Sequence, residues 1–135
     1  FEIHPKCYVN EWKYKEHLQN KIDEVGLPIE LTERCALWAI EYRKGGWQKA
    51  HRHGDHTVKK VSAVCYLDDG DEDESASHGG TFAYLYDGNG NTHDLCYKPM
   101  AGDLLIFKST VLHGKYPTRK SNRVFVVDYF YKDKE

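Results

Sequence analysis

The chain is poor in the features that would mark a cross-linked, membrane-bound or nucleic-acid-binding protein. It has four cysteines, Cys7, Cys35, Cys65 and Cys96, with no CxxC pair among them. That spacing argues against a disulfide framework or a structural zinc site. Cys35 and Cys65 lie in apolar, strand-like runs, where a free cysteine acts as a small hydrophobe. Reduced thiols and a cytoplasmic location are therefore expected. No apolar run approaches the length needed to cross a bilayer. Phe1-Glu2-Ile3-His4-Pro5 lacks the apolar centre of a secretory leader, so none is expected there. Charge of one sign is also missing: 19 Lys and Arg against 21 Asp and Glu give a net charge of −2. Neither nucleic acid nor an anionic membrane is an expected partner. Internal repeats, linkers and low-complexity stretches are absent. What remains is one domain over residues 1–135, large enough to bury its own core.

The N-terminal part predicts a single clear helix over Asn10 to Val25. Asn10 would cap it, Trp12, Leu18, Ile22 and Val25 would share a side, and Gly26-Leu27-Pro28 would stop it. A short helical turn is expected near Leu31-Thr32-Glu33-Arg34. From Cys35 onward the pattern is strand after strand. Cys35 to Tyr42 is apolar and aromatic. Val58 to Leu67 alternates, with Val61, Ala63, Cys65 and Leu67 on one side and Lys60, Ser62, Val64 and Tyr66 on the other. Asp68 to Ser77 reads as a solvated acidic loop. Thr81–Tyr86 and Thr92–Tyr97 form a hairpin through Asp87-Gly88-Asn89-Gly90-Asn91. Asp103 to Phe107, Val111 to Tyr116 and Arg123 to Tyr131 complete the set. About eight short strands with closely spaced turns point to a mainly β fold. The double-stranded β-helix, or jelly roll, fits best, with the helix packed against it.

Histidine is what the chain has in excess: eight in all. His4, His17, His78 and His93 read as surface residues, while His51, His53, His56 and His113 concentrate on two short segments. In Trp47 to Asp55, the side chains of His51, His53 and Asp55 occupy every second position. On an extended strand they would leave one face. With His113 they supply three imidazoles and one carboxylate, which include the two imidazoles and one carboxylate of a non-haem iron site with open coordination positions.

The order of these segments resembles a known family. His53-Gly54-Asp55 is followed by Ser62 to Asp69, Gly79-Gly80-Thr81-Phe82, Lys98 to Phe107, His113 and Arg123. Together they resemble the 2-oxoglutarate- and iron(II)-dependent oxygenases, in the compact prolyl-4-hydroxylase-like branch with phage and bacterial members. The resemblance covers roughly Cys35 to Tyr131. It implies a hydroxylase that needs Fe(II), O2 and 2-oxoglutarate as cosubstrate, with ascorbate as an accessory reductant. The cosubstrate would be decarboxylated to succinate while an unidentified substrate, a peptide or a metabolite, is hydroxylated. By this resemblance His53 and Asp55 match the family's HxD pair and His113 its distal histidine, and this set ranks first because an anionic ligand balances ferrous iron. Related members carry HxH after a KGxxxxx lead, which Lys44-Gly45 and His51-Arg52-His53 match, so His51, His53 and His113 are the alternative, with Asp55 then orienting a ligand. Arg123 stands where the family places the partner of the far carboxylate of 2-oxoglutarate. A hairpin centred near Thr118 would set it opposite His113 on a shared face. Tyr97 or Tyr42 would add a hydrogen bond to the cosubstrate, and Trp38, Trp47 and Tyr66 would wall the pocket. The alternative class is a cupin, a metal-binding jelly roll that does not use 2-oxoglutarate. Gly45, His51-Arg52-His53 and Pro99 to His113 loosely match its motifs.

Overall fold

The computed structural model describes residues 11–55, 57–69, 81–86, 92–97 and 100–135, with side chains left out at 11, 12, 81–86 and 92–97. The helix α1 runs Glu11–Glu24, and the strands are β1 (Ile29–Tyr42), β2 (Gln48–His51), β3 (Lys60–Tyr66), β4 (Thr81–Tyr86), β5 (Thr92–Tyr97), β6 (Leu104–Lys108), β7 (Leu112–Lys115) and β8 (Asn122–Asp133). They form two four-stranded sheets, ordered β1-β8-β3-β6 and β2-β7-β4-β5. Pairing is antiparallel throughout the described ladders. This is the expected jelly roll, with the expected helix packed on the first sheet.

The alternation read in β3 is what positions the core. Val61, Ala63, Cys65 and Leu67 join Phe125, Val127 and Tyr129 of β8 under Tyr14, Leu18 and Ile22 of α1. Val64 and Tyr66 instead join Tyr42, Val124 and Val126 on the opposite side. In the helix, Tyr14, Leu18 and Ile22 are spaced four apart and so share a face. Val25 was expected on that face but lies beyond the last helical residue and is 72% exposed. The proposed Asn10 cap and the Trp12 side chain lie outside the described residues. The same holds for the Asp71-to-Glu74 run and the Asp87-to-Asn91 turn, although β4 and β5 pair as expected, from Thr81↔Tyr97 to Tyr86↔Thr92.

Two local expectations change. No helical turn forms at Leu31 to Arg34, because β1 begins at Ile29 and pairs with β8 from Ile29↔Asp133 onward. The Gln19 side chain of α1 completes that strand end: its amide donates to the Ile29 carbonyl (3.0 Å) and accepts from the Leu31 N–H (2.7 Å). Ladder bonds and these side-chain bonds together outweigh the weak local preference for a turn. The second change concerns cysteine. Cys35 is a free, exposed thiol, whereas Cys65 is disulfide-bonded to a partner outside the described side chains. Disulfides persist in oxidising surroundings, so cysteine usage no longer argues for the cytoplasm. No helix among the described residues is long and apolar enough to cross a membrane.

Candidate metal centre

β2 and β7 are neighbours in the second sheet, and His51 is the direct cross-strand partner of His113. Such partners share a face, which brings two imidazoles together from strands far apart in sequence. His53 reaches the same place from just beyond the end of β2. Its backbone N–H donates to the Ser109 carbonyl (2.9 Å), holding the turn against the loop before β7. One ligand-capable atom from each of His51, His53 and His113 lies within 4.8 Å of the others.

The hydrogen bonds fix which ring nitrogens face inward. His51 Nδ1 donates to the Lys49 carbonyl (2.9 Å), and His113 Nδ1 donates to the Val111 carbonyl (2.9 Å). His53 Nδ1 donates to the Asp128 carboxylate (3.2 Å) and lies 2.9 Å from Ser62 Oγ. Carbonyl and carboxylate oxygens only accept, so a neutral imidazole at each position holds its proton on Nδ1 and turns an Nε2 lone pair inward. His51 Nε2 and His53 Nε2 are 3.2 Å apart. Two nitrogens each about 2.1 Å from a shared ion, at roughly a right angle, would be separated by about 3 Å. The donor set therefore suits a divalent cation bound on one face. Burial pushes the His113 imidazole down from 6.5 to about 4, which favours the neutral form a metal requires.

The polar support lies deep. Asp128 of β8 and Ser62 of β3 are cross-strand partners, and both are almost fully buried. Ser62 Oγ is also 3.0 Å from Ser109 Oγ. Around this cluster the walls are aromatic: the Trp38 ring lies 5.4 Å from His53, and Phe107 lies 4.5 Å from His113. A cleft open to solvent is lined by the three histidines, Trp38, Tyr66 and other residues. Trp47, expected in that wall, is 63% exposed and is not among its lining residues. Tyr42 does line the cleft. Burial pushes its phenol up to about 12, and the hydroxyl donates to Gln48 Oε1 (2.8 Å).

The structure brings together His51, His53 and His113 but does not gather Asp55 with them. Strand β2 ends at His51, so the every-second-residue face does not extend to position 55. The exposed Asp55 carboxylate accepts from the Thr57 backbone N–H (2.8 Å) and from the Thr57 hydroxyl, closing a turn. Arg123 is placed differently from its expected position. β7 pairs with β2 and β4, while β8 pairs with β1 and β3, so no hairpin sets 113 opposite 123. Arg123 donates through Nε and Nη2 to the two Asp68 oxygens, each at 2.9 Å, and its backbone N–H adds a third bond at 2.8 Å. That guanidinium holds the Asp68 carboxyl below the usual carboxylate range. Tyr97 lies in β5, and its side chain is outside the described ones. Sequence reasoning missed Asp128 and Ser62. The available signal was an acid standing alone in the apolar run from Val124 to Tyr129.

Solved structures share this fold. A Pseudomonas putida prolyl-4-hydroxylase is 23% identical with a TM-score of 0.60, over 90% of this chain and 64% of its own. A Trichoplax adhaerens prolyl hydroxylase, in complex with a hypoxia inducible factor oxygen degradation domain peptide, is 18% identical with a TM-score of 0.62, over 88% and 56%. A Burkholderia pseudomallei oxidoreductase of the 2OG-Fe(II) oxygenase family is 16% identical with a TM-score of 0.62, over 93% and 55%. This chain thus spans 55% to 64% of their lengths. No curated protein matches it. The profile of one family matches residues 37–131, most of the jelly roll from β1 to β8, and the chain belongs to the 2OG-Fe(II) oxygenase superfamily.

Proposed function

We propose that this chain is a 2-oxoglutarate- and Fe(II)-dependent hydroxylase whose metal ligands are His51, His53 and His113. The observation that carries this reading is the convergence of a ligand-capable ring nitrogen from each of three histidines at one end of an aromatic-walled cleft. Superfamily membership supports it over the cupin alternative. When bound, iron with 2-oxoglutarate and O2 supplies oxidative decarboxylation coupled to hydroxylation. The chain's own residues orient and enclose. The Lys49 and Val111 carbonyls fix the rings of His51 and His113, and the buried Asp128 carboxylate with Ser62 fixes His53. Trp38, Phe107 and Tyr66 restrict water on one side of the centre. Asp55 remains outside the ligand set, closing the turn that follows His53.

A peptidyl-prolyl substrate is the finer reading. It is supported by the two prolyl hydroxylases among the structural neighbours and by the open mouth of the cleft. The test is succinate release from 2-oxoglutarate, with and without Fe(II), across proline-containing peptide, nucleobase and small-metabolite pools. Iron-dependent succinate that rises with one pool identifies the substrate class. Iron-loaded protein that never consumes 2-oxoglutarate overturns the reading.

A further inference from the structure

From the two rungs of the β2–β7 ladder we propose that Lys115, not Arg123, binds the far carboxylate of 2-oxoglutarate. This rests on the function proposed above and specifies how that site selects its cosubstrate. Lys115 follows His113 by two positions on β7, so both side chains leave the same face, about 7 Å apart along the strand. Both line the cleft, and Lys115 is only 4% exposed. Among the described lining residues it is the one Lys or Arg.

The partner strand repeats the arrangement. Gln48 lies opposite Lys115 just as His51 lies opposite His113, with a register shift between the two pairs. Three steps on β2 are thus set against two on β7, and this bulge lets Gln48 and His51 line one cleft despite their odd spacing. One rung is a pair of imidazoles and the other an amide beside an ammonium. Gln48 Oε1 already accepts from the Tyr42 hydroxyl (2.8 Å), which orients the amide, and Lys115 Nζ sits 5.0 Å from the centre of the Tyr42 ring. A 2-oxo acid chelated at the imidazole rung would direct its far carboxylate along the strands toward that second rung. There a charge-assisted bond from Nζ would meet it away from bulk water.

Arg123 is committed elsewhere. Val124 and Val126 line the cleft, and the position before Val124 belongs to the opposite face of β8. Its guanidinium clasps Asp68, and its carbonyl accepts from the Leu67 N–H (3.0 Å), tying the start of β8 to the end of β3.

The test is anaerobic titration of Fe(II)-loaded protein with 2-oxoglutarate and with 2-oxobutyrate, which lacks the far carboxylate. It is followed by the visible charge-transfer band of the chelate, with iron affinity measured separately by equilibrium dialysis. Lys115→Met is expected to weaken 2-oxoglutarate about 10- to 100-fold, to leave 2-oxobutyrate and iron unchanged, and so to erase the preference between the two acids. Lys115→Arg should restore part of that preference, and Lys115→Gln replaces Lys115→Met if the latter does not fold. Arg123→Met should keep the preference and lower thermal stability. If Arg123→Met erases the preference and the Lys115 variants keep it, the proposal is overturned. Wild-type protein that binds iron yet gives no band with either acid overturns the functional reading, and this proposal with it. A wild-type band with both acids at equal affinity overturns this proposal alone.

Discussion

The two faces of the first sheet are made from the same strands and differ in almost everything else. Toward α1, β3 and β8 present Val61, Ala63, Cys65, Phe125, Val127 and Tyr129, a face whose stability comes from apolar burial. Toward the second sheet the alternate residues include Ser62 and Asp128 beside Val64, Val124 and Val126. Ser62 and Asp128 are both directed at His53. A two-residue period thus lets one strand anchor the fold with one set of side chains and fix a candidate metal ligand with the other. The ligand's support inherits the rigidity of the core behind it.

The sharpest way to break this comparison is to damage one face at a time. His113→Ala is expected to abolish stoichiometric iron binding in equilibrium dialysis while the protein stays folded. On the other face, Leu18→Ala should cost about 2–5 kcal/mol in urea denaturation, through the cavity it leaves, and the folded fraction should still bind iron. If Leu18→Ala removes iron from fully folded protein, the faces are not separable in this way.

Acid acts on the site face through His113. His113 is depressed from 6.5 to about 4 in the folded protein, so between those values the unfolded chain binds a proton that the folded chain does not. Its contribution, about 3 kcal/mol at most, is therefore complete above pH 6.5 and lost as pH falls toward 4. Denaturation of the metal-free protein across this window should show the loss, and His113→Gln should flatten it. Asp128→Asn is expected to be milder: iron affinity should drop about 10- to 100-fold, because an amide can turn its donor toward His53 Nδ1 and disfavour the inward-facing Nε2 lone pair. Unchanged iron affinity would remove Asp128 from the ligand's support. The smallest effect belongs to Asp55→Ala, which should leave iron affinity intact and cost about 1 kcal/mol or less, as expected of a turn-closing carboxylate. Loss of iron there would restore Asp55 to the ligand set.

Much of the fold could be read from period and turn chemistry. The alternation of Val61, Ala63, Cys65 and Leu67 against Val64 and Tyr66 placed both faces of β3 correctly, and β4 pairs with β5 as expected. The gathering of His51, His53 and His113 was also legible, as one of two registers. What failed was reasoning from neighbourhood in sequence. Here β7 and β8 belong to different sheets, so the turn between His113 and Arg123 joins two layers and makes no hairpin. The end of β2 at His51 was equally hidden: ladder pairing with β7 sets it, and Asp55 gives no local sign of lying past it. Asp128 and Lys115 needed only the two-residue rule applied outward from Val126 and His113. They were passed over because charged residues on strands usually face water.

The bulge on β2 has a consequence for how such chains can vary. Removing one residue between Gln48 and His51 would make the spacing even on both strands, and a plain ladder would then keep both side chains in the cleft without a bulge. Adding one residue between His113 and Lys115 instead would make both spacings odd and turn one side chain of each strand out of it. Loop lengths elsewhere on the surface can drift at little cost, whereas here the count of residues matters as much as their identity.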